Sequence, residues 1–191
     1  MKKYLAAIVL SGALLMTGST VWAQQTKLPP LALSPMDMAY YPPGYSMVAN
    51  VEGKSEKLIA RIIYCRPQIK GRVIFGGLVP YGKVWRLGAN QATELDVFSP
   101  VTIAGHQFEP GRYTMYAIPE KDKWTIILNS QTDTWGAFGY HQDKDIVRTD
   151  VPVTNLTKPV EAFTMIFEKA PQGCNLVMAW DKAEVRLPMS F

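Results

Sequence analysis

Cysteine and histidine are scarce in this chain of 191 residues: two of each, Cys65 and Cys174, His106 and His141. Neither histidine has a second histidine or a cysteine at ligand spacing, which argues against a zinc-type centre. The aspartates Asp122, Asp143, Asp145 and Asp150 do not follow the spacing of a calcium loop, so they read as solvated loop charges. No metal and no cofactor are therefore expected. After the N-terminus no run of 18 apolar residues occurs, which leaves no candidate for a later membrane span. The net charge of +4 falls to +2 if Lys2 and Lys3 are removed, and a near-neutral chain is a poor nucleic-acid binder. No G-x-S-x-G element points to a hydrolase of the α/β type. A 3.6-residue apolar stripe nowhere persists for three turns, which excludes a helical bundle.

The chain opens MKKYLAAIVLSGALLMTGSTVWAQQ. Two lysines precede an apolar run from Tyr4 to Met16, and Val21-Trp22-Ala23 places small residues around a cleavage point. This predicts a secretory signal peptide over residues 1–23, cut after Ala23, and an exported protein of the periplasm or the extracellular space. The mature chain would hold 191 − 23 = 168 residues, enough for one domain with a substantial core. Export permits a disulfide between Cys65 and Cys174, worth about 4–5 kcal/mol in the chain-entropy model. Two buried thiols are the alternative, and the sequence leaves both open.

Residues 24–56 are rich in proline, methionine and tyrosine. Pro29-Pro30 and Pro42-Pro43 forbid regular helix, so this segment is expected as an extended arm, docked on the domain by Met36, Met38, Tyr40 and Tyr41. From residue 57 onward, alternation of period two dominates. Leu58–Arg66 reads as a buried strand. Tyr113, Met115 and Ala117 share a face, as do Trp124, Ile126 and Leu128. Further sets are Phe163, Met165 and Phe167; Leu176, Met178 and Trp180; and Val185, Leu187, Met189 and Phe191. Turn chemistry separates them at Glu109-Pro110-Gly111, Pro119–Asp122 and Pro171-Gln172-Gly173. Nine or ten short strands on one core predict an all-β domain over 57–191, an antiparallel sandwich or a partly closed barrel. A short helix is also expected near Trp135–Tyr140.

Gly77-Leu78-Val79-Pro80-Tyr81-Gly82-Lys83 spells G-x-x-x-x-G-K, but Val84 stands where a phosphate-binding loop needs a hydroxyl, and Pro80 interrupts it. The match is rejected. Asn155-Leu156-Thr157 fits a glycosylation tripeptide that arises often by chance. The remaining concentration of chemistry lies in Arg66–Arg72 and in VPYGKVWRLGANQATEL, residues 79–95. Arg66, Arg72 and Arg86 could fork onto a carboxylate or phosphate. Trp85 could stack on a ligand, and Asn90 could orient it. Tyr116 and Trp135 could join them. The competing account is architectural: an irregular crossover must satisfy its own polar backbone, with Trp85 plugging the core.

The run RPQIKGRVIFGGLVPYGKVWRLGANQATEL, then FEPGRYTMYAIPEKDKWTIILN and WGAF, resembles the bacterial domain of unknown function 2911 family. The resemblance extends from about Tyr64 to Phe191. It implies an exported, mainly β protein, and it carries no known activity and no catalytic residues. Three functional expectations follow. The first is a non-enzymatic module binding a small ligand, a glycan or a cell-envelope partner. The second is a glycan-acting hydrolase or lyase using Glu94 and Asp96 as its carboxylates. The third is an assembly role for the arm. The oligomeric state is left open.

Overall fold

The computed structural model describes residues 28–51 and 57–191. The expected signal peptide lies outside the described residues. Contacts divide the chain into residues 1–30, of which only 28–30 are described, and one compact unit, Leu31–Phe191.

Ten strands form two antiparallel sheets. The larger holds β1 (Met36–Tyr41), β2 (Ala60–Cys65), β3 (Thr93–Val97), β6 (Gly111–Pro119), β7 (Lys123–Asn129) and β8 (Asp145–Pro152), in that order. The smaller runs β5 (His106–Phe108), β4 (Val101–Ile103), β10 (Gly173–Ser190), β9 (Thr154–Ala170). The architecture is an open sandwich, not a closed barrel.

Period two decides the faces, since successive side chains on a strand point opposite ways. Ile62, Tyr64, Leu95, Met115, Trp124, Ile126 and Leu128 project from the larger sheet into the core. Phe163, Met165, Leu176, Met178, Trp180, Val185 and Leu187 meet them from the smaller one. Phe191, expected with the last set, is instead half exposed. The segments expected as two strands, 174–181 and 184–191, are one strand, β10. Irregularities in register around Asp181, at φ 52°, absorb the polar break.

The segment 24–56 is not wholly an arm. Met36–Tyr41 pairs residue for residue with Cys65–Ala60 and forms the edge of the larger sheet. Its inward side carries Asp37, Ala39 and Tyr41, so Met36 and Met38, expected to dock, are the exposed ones at 54% and 46%. Tyr41 does pack inward, edge-on to Phe167. Tyr45–Asn50 then makes a short helix, α1. The helix expected near Trp135 is absent: residues 135–140 are turn and loop, and a single 3-10 turn forms at Gln142–Lys144. This segment covers the outward side of β6 and β7, burying Tyr116, Ile127 and Ala92 beneath Ala137 and Tyr140 in a second small core.

Candidate functional site: the 66–92 crossover and Arg86

Residues 66–92 carry the chain across the open end between the sheets. At one side the crossover extends the smaller sheet: Phe163 N donates to Pro67 O (2.9 Å) and Ile69 N to Glu161 O (2.9 Å). At the other it extends the larger, with Trp85 N to Ala117 O (2.7 Å) and Ala117 N to Trp85 O (2.9 Å). Between these anchors the backbone turns through positive φ at Lys70, Leu87 and Asn90. Gly88, at φ 151°, passes so close to β2 that a Cβ would lie 2.8 Å from Cys65 O, a position only glycine fills.

Four of the expected site residues serve this architecture. Trp85 is buried, its ring stacked on Trp180 at 5.9 Å and edge-on to Trp124, and its Nε1 donates to Gly88 O (3.1 Å). Arg66 is a clamp: Nε donates to Phe163 O (3.1 Å), Nη1 to Asp37 Oδ2 (2.9 Å) and Nη2 to Thr164 Oγ1 (2.8 Å). Asn90 takes a left-handed turn conformation and donates to Ser34 O at 3.4 Å. Tyr116 is buried in the second core, hydroxyl to hydroxyl with Thr134 at 2.9 Å. Burial pushes its phenol pKa up.

Two more lie at the surface. Arg72 is exposed, and its Nε and Nη2 donate to the carbonyls of Ile69 and Gln68. Trp135 is 60% exposed and walls a different hollow of about 480 Å³ with Met36, Ile63 and Gln91. The structure thus separates it from Arg86 rather than joining the two in one pocket.

Arg86 differs from all of these. Its guanidinium has no hydrogen bond and no ion pair among the described residues, and its Nε is buried without a partner. Burial lowers its pKa, and the nearby Cys65 offsets this in part. Two hollows flank it. One, about 190 Å³, is lined by Arg72, Leu78, Trp85 and Gly88 among others. The second, about 170 Å³, is lined by Lys83, Leu78, Val84 and Ala137. Neither is lined by a carboxylate. A sequence signal for this exists: residues 57–93 hold seven lysines and arginines and no aspartate or glutamate.

The carboxylates considered for glycan cleavage are each held by an arginine. Glu94 Oε2 accepts from Arg112 (3.3 Å) and its Oε1 from Asp133 N (2.7 Å); Asp96 accepts from Arg61 Nε (2.8 Å). Cys65 and Cys174 are both buried and unpaired. They sit on β2 and β10, in different sheets. Burial raises both thiol pKa values, that of Cys174 to about 12. Among the described residues no group of three or more histidine, cysteine, aspartate or glutamate side chains could hold a metal ion. No helix among them is long and apolar enough to cross a membrane.

Fold and crossover together define an open antiparallel β-sandwich whose end is closed by an arginine-bearing loop. The chain matches the family described as Protein of unknown function (DUF2911) over residues 46–189 and belongs to it. No curated protein and no solved structure matches the chain.

Proposed function

We propose that this is an exported, non-enzymatic binding module whose ligand carries an anionic group that meets Arg86. The observation that carries the reading is the buried, unpartnered Nε of that residue. A desolvated donor on a permanent charge costs free energy unless something bonds it, and a planar anion offers the matching fork. Arg72 and Lys83 stand beside the flanking hollows, with no carboxylate lining to repel an anion. Each hollow is small, which suits a phosphate or carboxylate head rather than a large organic ligand. The glycan-hydrolase alternative has less support, because Glu94 and Asp96 are both engaged by arginines.

The test is thermal denaturation at constant ionic strength with inorganic phosphate, glycerol phosphate, acetate and succinate. Saturation at about 100 times Kd adds about 2.7 kcal/mol. For a domain of this size that is a rise of roughly 5–10 °C in Tm. Arg86→Gln should abolish the rise. If no anion stabilises the native protein more than it stabilises Arg86→Gln, the reading is wrong.

A further inference from the structure

The surface around Arg86 is unusual in a second respect. Leu78 lines both flanking hollows and is 48% exposed, and Val73, whose carbonyl accepts from Leu78 N (3.0 Å), is 72% exposed. From the other side comes the 133–140 loop. A Cβ at Gly136 would lie 3.7 Å from Arg86 Nη1, Ala137 lines the Lys83 hollow, and Phe138, packed over Gly136, is 88% exposed. Large apolar side chains from two separate loops therefore stand bare around the hollows of an unpartnered guanidinium, beside Arg72 and Lys83. An anion alone requires no such rim. A surface that is anionic at one depth and apolar just beneath does.

We propose that this end of the sandwich seats on an anionic phospholipid surface, a lipid phosphate meeting Arg86 while Leu78, Val73 and Phe138 enter the headgroup layer. The inference rests on the anion reading of Arg86 and specifies its source. Charge complementarity is the argument for this occupant: three cations surround the hollows and no carboxylate lines them. Each lysine or arginine near an anionic leaflet contributes about fivefold in partition, an attraction that fades within a Debye length and with salt. Apolar side chains at the acyl boundary supply the part that salt does not screen. Two short loops give a reversible surface contact, not an insertion.

The exported protein, its mass checked for removal of the leader, is mixed with unilamellar vesicles of phosphatidylcholine alone or with one quarter phosphatidylglycerol. Binding is read by co-sedimentation. Trp135, the exposed tryptophan among the described residues, reports by emission shift. The expected result is at least tenfold tighter binding to the anionic vesicles at low salt, lost at high salt, with a blue shift. The double variant Val73→Ser/Phe138→Ser, at two exposed residues that line neither hollow, should bind them at least fivefold more weakly while glycerol phosphate still raises its Tm as in the native protein. Arg86→Gln should lose both responses. Stabilisation by glycerol phosphate with equal binding to both vesicles, or with no effect of the double variant, overturns the membrane inference and leaves the anion reading standing. Failure of both glycerol phosphate and the vesicles overturns the anion reading itself.

Discussion

Arg66 and Arg86 lie 20 residues apart on one crossover, and the same substitution should move stability in opposite directions at the two. Arg86→Met keeps an unbranched side chain for packing and removes a donor that finds no partner within the described residues. One of its donors, Nε, is wholly buried without a partner, and a buried unsatisfied donor costs about 1–3 kcal/mol. Part of that gain is lost in imperfect repacking, so the variant should be more stable by about 1–2 kcal/mol, or roughly 2–8 °C in Tm. Arg66→Met removes three hydrogen bonds, to Phe163 O, Asp37 and Thr164. It leaves the Phe163 carbonyl and the partly buried Asp37 carboxylate short of a donor, at a cost of about 2–3 kcal/mol. Urea unfolding of the two variants, with m unchanged, measures both. Destabilisation by Arg86→Met of more than about 1 kcal/mol would mean that its guanidinium already has a structural partner, and the functional argument built on it would fall. A stabilised Arg86→Met that has also lost the anion response would be the expected exchange of stability for function.

Trp85→Ala should cost about 3–5 kcal/mol, because it empties the space between Trp180, Trp124 and Phe163 and unpins the crossover; a loss below about 1 kcal/mol would refute its role as the plug. Gly173→Ala should cost about 2–4 kcal/mol, since φ is 145° and the new Cβ would meet Met189 O at 2.2 Å, and a melting curve equal to the native one would show the hairpin can shift. Both thiols should resist a disulfide reagent at pH 8 in the folded protein and react, two per chain, in denaturant. A chain with no reactive thiols in denaturant would contain the disulfide. Because the Cys174 pKa is raised to about 12 by burial, the folded state holds its proton after the unfolded state has released it. Stability should therefore be intact below pH 9 and fall as pH rises from about 9 towards 12.

The strand faces were legible because a half-buried strand writes its burial directly into period two: Phe163, Met165 and Phe167, or Trp124, Ile126 and Leu128, needed only to be counted off. The first strand was not. In Met36–Tyr41 the outward positions are the more apolar ones, and an edge strand can expose them, so its pattern points the wrong way. β10 looked like two strands because Asp181 and Lys182 break the apolar alternation, while the backbone passes them through a bulge. Of the expected site, the position in the chain was readable and the roles were not. Arg66 and Arg86 are alike in sequence, and what separates them is a carbonyl and a hydroxyl on β9 about 97 residues beyond Arg66. Trp135 could be flagged as an aromatic in the glycine-rich run 135–140, but its place relative to the Arg86 hollows depends on how the 130–144 segment lies over the sheet. The acid-free run through the crossover was the one local feature that could have singled out an anion site.

Every neighbour in the larger sheet is sequential apart from the excursion of β4 and β5, which leave it between β3 and β6 and join the other layer. They are held there by β10, whose pairing with β4 is Ser190 with Thr102. The larger sheet can zip up strand by strand as a meander, but β4 and β5 are tied to β10 only when residues near 190 are free to reach back some 90 positions. Closing so long a loop is slow and comes late. On this reading Trp85, which stacks on Trp180, lacks its full cover until β10 has been made. A protein destined to be threaded through a narrow channel before folding would gain from that delay, and one left in the compartment of its synthesis would need a chaperone to survive it.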